Sequence, residues 1–545
     1  MLVGRVTRDA DGRRARRDAC AGRDARAGGD AVCGCARRGT NRLLARGASV
    51  AYAPPMLTLA AAVQEQARLR PDAIALVSSA TGTRLTYAAL AQRGAHLARV
   101  LARGHGVRHG DRVAVLAHND VRTFEMLLAC SRLGAALAPL NVRLSDDELD
   151  AVLAQCEPRV LFVDDAHASR TPGYRGPREP LAGDMLEGEG DGEDTIAGSL
   201  DDTLVLLFTS GTTGKPKGAM LPQRSIAANA GSTRRAWALS DRDVALVDAP
   251  LFHTGGLNVL ATPLFYAGGT VIVAPRFDAT ASGEILVREG CTVAFGVPTM
   301  IERLFASGVV DRSRIRLFVT GGAPCPRTLL DAFVAKGVSL VQGFGMTECG
   351  PNCFRPIDSA ALGSVGTPTF GLEARLVGDD GRDVATGDPG ELLLRGPHVF
   401  AGYFRDESAT RAALDDDGWL HTGDVLRATP DGWFVAGRKK EMFISGGENV
   451  YPAEVEAAFT LHASIAEAAV VSIPDATWGE AGVGWVLARA GTPEPSPDDV
   501  RAFLRERIAA YKVPRAIYVE HDLPRTASGK IDKRELTERA LARRA

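Results

Sequence analysis

The chain has 545 residues, more than one compact core accommodates, so at least two domains are expected. Hydrophobic residues make up 45% and charged residues 24%, with a formal net charge of −2, and that balance excludes the basic footprint of a nucleic-acid binder. No apolar run reaches the ~18–20 residues of a membrane-spanning helix. Nine cysteines, without paired metal-ligand spacing apart from Cys33 and Cys35, fit a reducing cytoplasm.

Residues 1–50 stand apart, with 12 Arg, 5 Asp, no Lys, no Glu and no apolar periodicity. Such a stretch cannot bury enough surface to fold alone, and its aspartates count against a mitochondrial presequence. The expectation over 1–55 is an unstructured extension or translated upstream sequence, with Met56 as the true start; an interaction arm is the alternative. From Leu57 the pattern becomes regular. A helix from Leu59 to Leu69 leads to a strand from Ala73 to Val77, and a second helix opens at Leu85-Thr86-Tyr87 and runs to about Leu101. A strand from Arg112 to Leu116, a helix from Asn119 to Leu133 and a short apolar run from Ala135 to Pro139 follow. Strands alternating with helices of about 10–15 residues indicate α/β units with largely parallel pairing.

The stretch 172–198, rich in Gly, Asp and Glu, reads as a surface loop. Further α/β units occupy roughly 203–345, a strand-rich portion with Gly and Asp turns covers about 363–436, and a compact α+β segment restarts after Arg438. The expected fold class is therefore α/β. A large N-terminal domain, 56–437, holds parallel sheets and a small strand-rich subdomain, and a small α+β domain, 438–545, follows it. No internal repeat is visible.

Only eight lysines stand against 56 arginines, so a lysine here is informative, because a compact ammonium does not replace a guanidinium fork. Two of them close the strongest motif. The apolar strand Leu206-Leu207-Phe208 runs into Thr209-Ser210-Gly211-Thr212-Thr213-Gly214-Lys215-Pro216-Lys217-Gly218. Glycines let backbone amides approach an anion and the hydroxyls add donors, which makes a phosphate cradle. It is not a Walker A loop: only two residues separate Gly211 from Gly214, and Pro216 stands where a Ser or Thr would hold magnesium.

This loop resembles the phosphate loop of the adenylate-forming superfamily, which includes acyl- and aryl-CoA ligases, peptide-synthetase adenylation domains and beetle luciferases. The resemblance extends over nearly all of residues 57–540, with further motifs in the family's order. Gly321-Gly322-Ala323-Pro324 looks like the adenine-side segment. Within Gln342-Gly343-Phe344-Gly345-Met346-Thr347-Glu348, the resemblance implies that Phe344 stacks on adenine, Thr347 contacts phosphate and Glu348 holds Mg²⁺. Trp419-Leu420-His421-Thr422-Gly423-Asp424 is similar to the segment whose aspartate grips the ribose hydroxyls, and Arg438 matches a nucleotide-contacting arginine.

Lys440 falls at the family's hinge, about which the small domain turns between adenylation and thioester formation. Gly446 and Gly447, in Ser445-Gly446-Gly447-Glu448-Asn449-Val450-Tyr451-Pro452, match the pair lining the tunnel for a pantetheine arm. Lys530, in Thr526-Ala527-Ser528-Gly529-Lys530, matches the mobile lysine that stabilises charge on the carboxylate and the α-phosphate.

The resemblance implies ATP, Mg²⁺ and coenzyme A as co-substrates and cofactor, and a carboxylic acid as the group activated. Pro250-Leu251-Phe252-His253-Thr254-Gly255-Gly256-Leu257 resembles the border of the acyl pocket, with His253 near the carboxylate or gating the thiol tunnel. Amino-acid-activating relatives carry an aspartate where His253 stands, so a buried ammonium would lack its counter-charge here. The remaining pocket walls are expected at Leu257, Val297, Thr320, Gly321 and Cys349, small or apolar groups that suit an uncharged fatty or aromatic tail. The expected reaction is ATP-dependent acyl-CoA ligation. An acyl carrier protein as acceptor, a homodimer and a catalytically inactive scaffold stay open.

Overall fold

In the computed structural model, the described residues are 56–181, 197–209, 216–356, 361–445, 448–475, 477–526 and 530–544. The expectations for residues 1–55, for Ser210, Gly211, Thr212, Thr213, Gly214 and Lys215, and for Gly446 and Gly447 lie outside them. No helix among the described residues is long and apolar enough to cross a membrane.

Two large sheets carry the first part of the chain. The first has the order 339–342, 317–320, 293–296, 244–247, 270–273, 74–78, 84–86, parallel throughout except for its last strand. The second runs 178–180, 160–163, 112–116, 136–139, 203–209, 217–222, again parallel until the final pair. Central strands such as Val160–Val163 and Leu317–Thr320 are buried along their whole length. That is the continuous apolar run of a sheet covered on both faces. One contiguous core joins both sheets and reaches Phe354, Phe400 and Leu426.

Boundaries moved by up to three residues from the sequence reading, the second helix ending at Gly104 and not at Leu101. The first helix is Leu59–Leu69, with Thr58 Oγ1 accepting from the Ala61 amide as its cap. The second begins at Tyr87 and not at Leu85, because Arg84–Thr86 pairs as an edge strand and Thr86 then caps the helix. Within the expected loop 172–198, Arg178–Pro180 adds a short strand to the edge of the second sheet.

A four-stranded antiparallel sheet, 373–377, 389–395, 420–429 and 432–438, forms the strand-rich portion. After it, strands 448–450, 443–445, 479–488, 465–475 and 516–520 make a separate five-stranded sheet with its own apolar clusters, one around Phe459 and Val486 and one around Trp485 and Leu536. Tyr451 and Met442 pack onto Val425 and Ala436, so this last portion docks on the four-stranded sheet.

Candidate active site

The antiparallel pairing of 420–429 with 432–438 places Asp424 opposite Arg438. Arg438 Nε lies 2.9 Å from Asp424 Oδ1, and the aspartate is buried. Burial pushes the Asp424 carboxyl above the usual range, with Arg438 pulling it back. The two expected nucleotide contacts thus form one ion pair.

Glu348 is also buried, and its Oε1 accepts a hydrogen bond from the Tyr403 hydroxyl at 2.7 Å. The Lys217 ammonium sits 5.3 Å from the centre of the Tyr403 ring, linking the end of the phosphate-loop motif to the same group. Among the described residues no lysine or arginine pairs with Glu348. A hard divalent cation therefore fits its carboxylate, whose Oε2 is not taken by Tyr403. Thr209 ends strand Thr203–Thr209, and its Oγ1 donates to the Lys217 carbonyl at 3.4 Å.

Gln342 ends strand Ser339–Gln342, and the amide of the next residue, Gly343, donates to the Thr320 carbonyl. The loop then doubles back: the Met346 amide donates to Gly350 O, and Thr347 is half-buried. A Cβ at Gly345 would sit 2.3 Å from the Pro351 carbonyl carbon, so only glycine allows this return. Phe344 is 8% exposed and meets Phe354 edge-on, with ring centroids 5.3 Å apart. Gly322, Ala323 and Pro324 form an exposed turn after strand Leu317–Thr320, beside half-buried Gly321.

The Thr526 amide donates to the Lys530 carbonyl at 2.8 Å. The Lys530 side chain is exposed by surface area, yet surrounding protein crowds it. That crowding, then Arg438, lowers its ammonium pKa, while Asp424 and Glu441 oppose the shift. His253 in turn feels Lys530 and Arg143; burial is the larger cause, and the imidazole is pushed down to about 4. Lys530, Asp424, Arg438 and His253 therefore share one electrostatic neighbourhood, although 277 residues of sequence separate His253 from Lys530. Lys440 lies in the short 3₁₀ turn Lys439–Glu441, directly after Arg438. Its neighbour Lys439 binds Glu391 at 3.0 Å and Asp379 at 3.3 Å.

On the acid side, His253 precedes the short helix Thr254–Asn258, and Leu257 is fully buried. A Cβ at Gly256 would fall 2.4 Å from Pro250 O and 2.5 Å from Ala249 O, which packs this helix tightly on the preceding segment. Asn119 holds that segment from outside, donating to Ala249 O and accepting from the Leu251 amide. Cys349 is fully buried, with its Sγ 2.7 Å from Cys353 Sγ. Thr320 is buried too. Val297 is different: it caps helix Pro298–Ala306, is 37% exposed and faces Gly322, so it sits on the rim. Tyr403 and Arg143 escaped the sequence reading, since each is a single residue outside any recognisable string.

Residues 63–404 match the AMP-binding enzyme family, and 454–530 match the AMP-binding enzyme C-terminal domain. The chain belongs to this family. Among its AMP-binding relatives, feruloyl-CoA synthase of an Amycolatopsis species is 40% identical over 483 residues, covering 87% of this chain and 97% of that one. Indoleacetate–CoA ligase of Aromatoleum aromaticum is 39% identical over 472 residues, covering 82% and 92%. The solved structure of o-succinylbenzoate CoA synthetase from Bacillus subtilis, in complex with the acyl-adenylate intermediate OSB-AMP, aligns with a TM-score of 0.79. Its identity is 31%, and the alignment covers 87% of this chain and 97% of that one. The α/β fold, with its parallel sheets, antiparallel strand-rich portion and separate C-terminal sheet, is the fold of these AMP-binding enzymes.

Proposed function

We propose that this enzyme activates an aryl carboxylic acid with ATP, forming an acyl-adenylate and pyrophosphate, and then passes the acyl group to coenzyme A with release of AMP. Feruloyl, indoleacetyl and 2-succinylbenzoyl groups, named in three relatives, all carry an aromatic ring, and this supports the aryl choice over a fatty one. The observation that carries the reading is the buried Asp424–Arg438 ion pair at 2.9 Å, with Lys530 within its field.

A carboxylate oxygen attacks the α-phosphorus, and negative charge grows on the phosphate oxygens. Lys530 supplies a nearby positive charge, worth ~10²–10³ in rate for one such donor in comparable sites. Asp424 and Arg438 position the nucleotide, and Glu348 would hold Mg²⁺, which neutralises charge on the departing pyrophosphate. His253, neutral at ordinary pH, borders the carboxylate without adding charge to the acid side. In this arrangement Lys530 lies at the nucleotide residues, which suits the adenylation half-reaction. Thioester formation then requires residues 438–545 to turn about Lys440 as a unit distinct from 56–437, bringing Gly446 and Gly447 to the site.

The test is AMP release with ATP, Mg²⁺ and coenzyme A across fatty, aryl and dicarboxylic acids. Turnover with aryl acids supports the reading. Turnover only with fatty acids moves the substrate class, and AMP formation only with an acyl carrier protein moves the acceptor.

A further inference from the structure

Helix Gln223–Ala236 follows the phosphate-loop hairpin, and Ile226, Asn229 and Thr233 share its inward face at i, i+3 and i+7. Asn229 is 2% exposed. Its Nδ2 donates to the Asn258 carbonyl at 2.8 Å, which fixes the carbonyl end of the amide on the other side. That Oδ1 is buried and has no partner among the described residues. A Cβ built on Gly350 would lie 3.2 Å from it, so Oδ1 faces the backbone just after Cys349.

The polar side chains nearby are committed elsewhere. Asn258 Nδ2 donates to Thr254 Oγ1 at 3.2 Å, and Asn258 Oδ1 accepts from Thr262 at 3.1 Å. Asn352 Nδ2 donates to Thr233 Oγ1 at 2.9 Å. In this cluster Asn229 Oδ1 is the buried atom left over. Buried acceptors are nearly always paired, so a leftover one calls for a donor brought by another molecule. Its position suggests which. Asn258 follows Leu257 and Gly350 follows Cys349, so Asn229 touches the backbone next to two expected walls of the acid pocket.

We propose that Asn229 is a specificity-determining residue whose Oδ1 accepts a hydrogen bond from a donor on the ring of the aryl acid, a phenolic hydroxyl foremost. A carboxamide oxygen only accepts, so a ring hydroxyl or ring N–H pairs with it, whereas an unsubstituted ring leaves it orphaned. Sites built to bond a hydroxyl reject the analogue lacking it more strongly than apolar pockets reject a missing methylene. The inference rests on the aryl-acid reading above.

The experiment compares kcat/KM for AMP release with 4-hydroxycinnamate and with cinnamate, in the native enzyme, Asn229→Leu and Asn229→Asp; indole-3-acetate serves as an N–H donor arm. The native enzyme is expected to prefer the hydroxylated acid by about tenfold or more. Asn229→Leu should collapse that ratio toward one, and Asn229→Asp, which keeps an acceptor, should retain part of it. A native enzyme that treats the two cinnamates alike overturns the inference even where Asn229→Leu fails to fold, as does an unchanged ratio in Asn229→Leu. Silence with every aryl acid instead overturns the aryl reading, and the inference with it. Preference for indole-3-acetate over cinnamate, lost in Asn229→Leu, supports the same acceptor with N–H as donor.

Discussion

The nucleotide side and the acid side of this site are built differently. Asp424 within strand 420–429, Arg438 at the end of strand 432–438, Glu348 in a turn, and Lys530 all carry charge, and the reading proposed above assigns them to the nucleotide. Leu257, Thr320, Cys349 and Asn229 are uncharged and buried, and on the reading proposed above they would supply shape plus one or two hydrogen bonds. A charge can be removed by a near-isosteric change such as Asp→Asn; a packed wall cannot be altered without a change of shape. Substitutions on the first side should therefore alter rate with little loss of stability, while those on the second alter substrate choice and folding together.

The largest effect expected is that of Lys530→Ala. Adenylation, followed by ATP–pyrophosphate exchange, should fall by ~10²–10³, while thioester formation from supplied acyl-adenylate stays within a few-fold. Equal loss in both halves would break the division of labour. The same lysine sets a pH dependence. Its ammonium is the useful form and its pKa is lowered from 10.5 by burial and by Arg438. The alkaline limb of kcat/KM for adenylation should then lie below 10.5, because the charge is lost as pH rises through the lowered value. A limb at or above the ordinary lysine value would contradict that crowding.

Next in size is Asp424→Asn. It keeps the shape but removes the charge paired with Arg438 at 2.9 Å. A hydrogen bond to a charged group is worth ~1.5–3 kcal/mol, so KM for ATP should rise by ~10–100-fold with kcat far less affected. A drop in kcat at constant KM would mean the pair works in the transition state and not in binding.

On the acid side, Gly256→Ala should act on folding first. Its Cβ meets two backbone carbonyl oxygens at 2.4 and 2.5 Å, and backbone cannot rotate away as a side chain does. Overpacking of this kind costs about 1–3 kcal/mol. The expected readout is a lowered Tm together with weaker binding of every acid, since the helix carrying Leu257 is displaced. An unchanged Tm would show that the wall is softer than its packing suggests.

The same contrast explains what the sequence revealed. Motifs that carry a family resemblance are contiguous strings, so Thr209 through Gly218 and Trp419 through Asp424 stood out in the sequence. The parallel sheets were equally legible, because strands such as Val160–Val163 are apolar end to end. Asn229 was invisible, since one asparagine inside a helix has no periodic or spacing signal and its meaning comes from Asn258 and Gly350, far away in sequence. Tyr403 was missed for the same reason: its hydroxyl reaches Glu348 across 55 residues. Phe344 was readable as part of a string, but its edge-on contact with Phe354 was not. Arg84–Thr86 became a strand through pairing with Ile74–Val77, which local pattern does not encode.

The smallest effect should come from Arg489→Ala. Arg489 Nη1 meets Glu302 at 3.4 Å, joining the C-terminal sheet to helix Pro298–Ala306. The glutamate is more than half exposed, and such surface pairs contribute ~0–1 kcal/mol. Both half-reactions should then change by less than about fivefold, and a rise in salt should mimic the substitution. The comparison sharpens here, because this contact belongs to neither side of the site and reports only on how the C-terminal sheet is held. If Arg489→Ala slowed adenylation while speeding thioester formation, the pair would be a latch on the arrangement that brings Lys530 to Asp424, and the balance between the two half-reactions would rest on weak surface charge and not on the buried contact of Tyr451 with Val425 and Ala436.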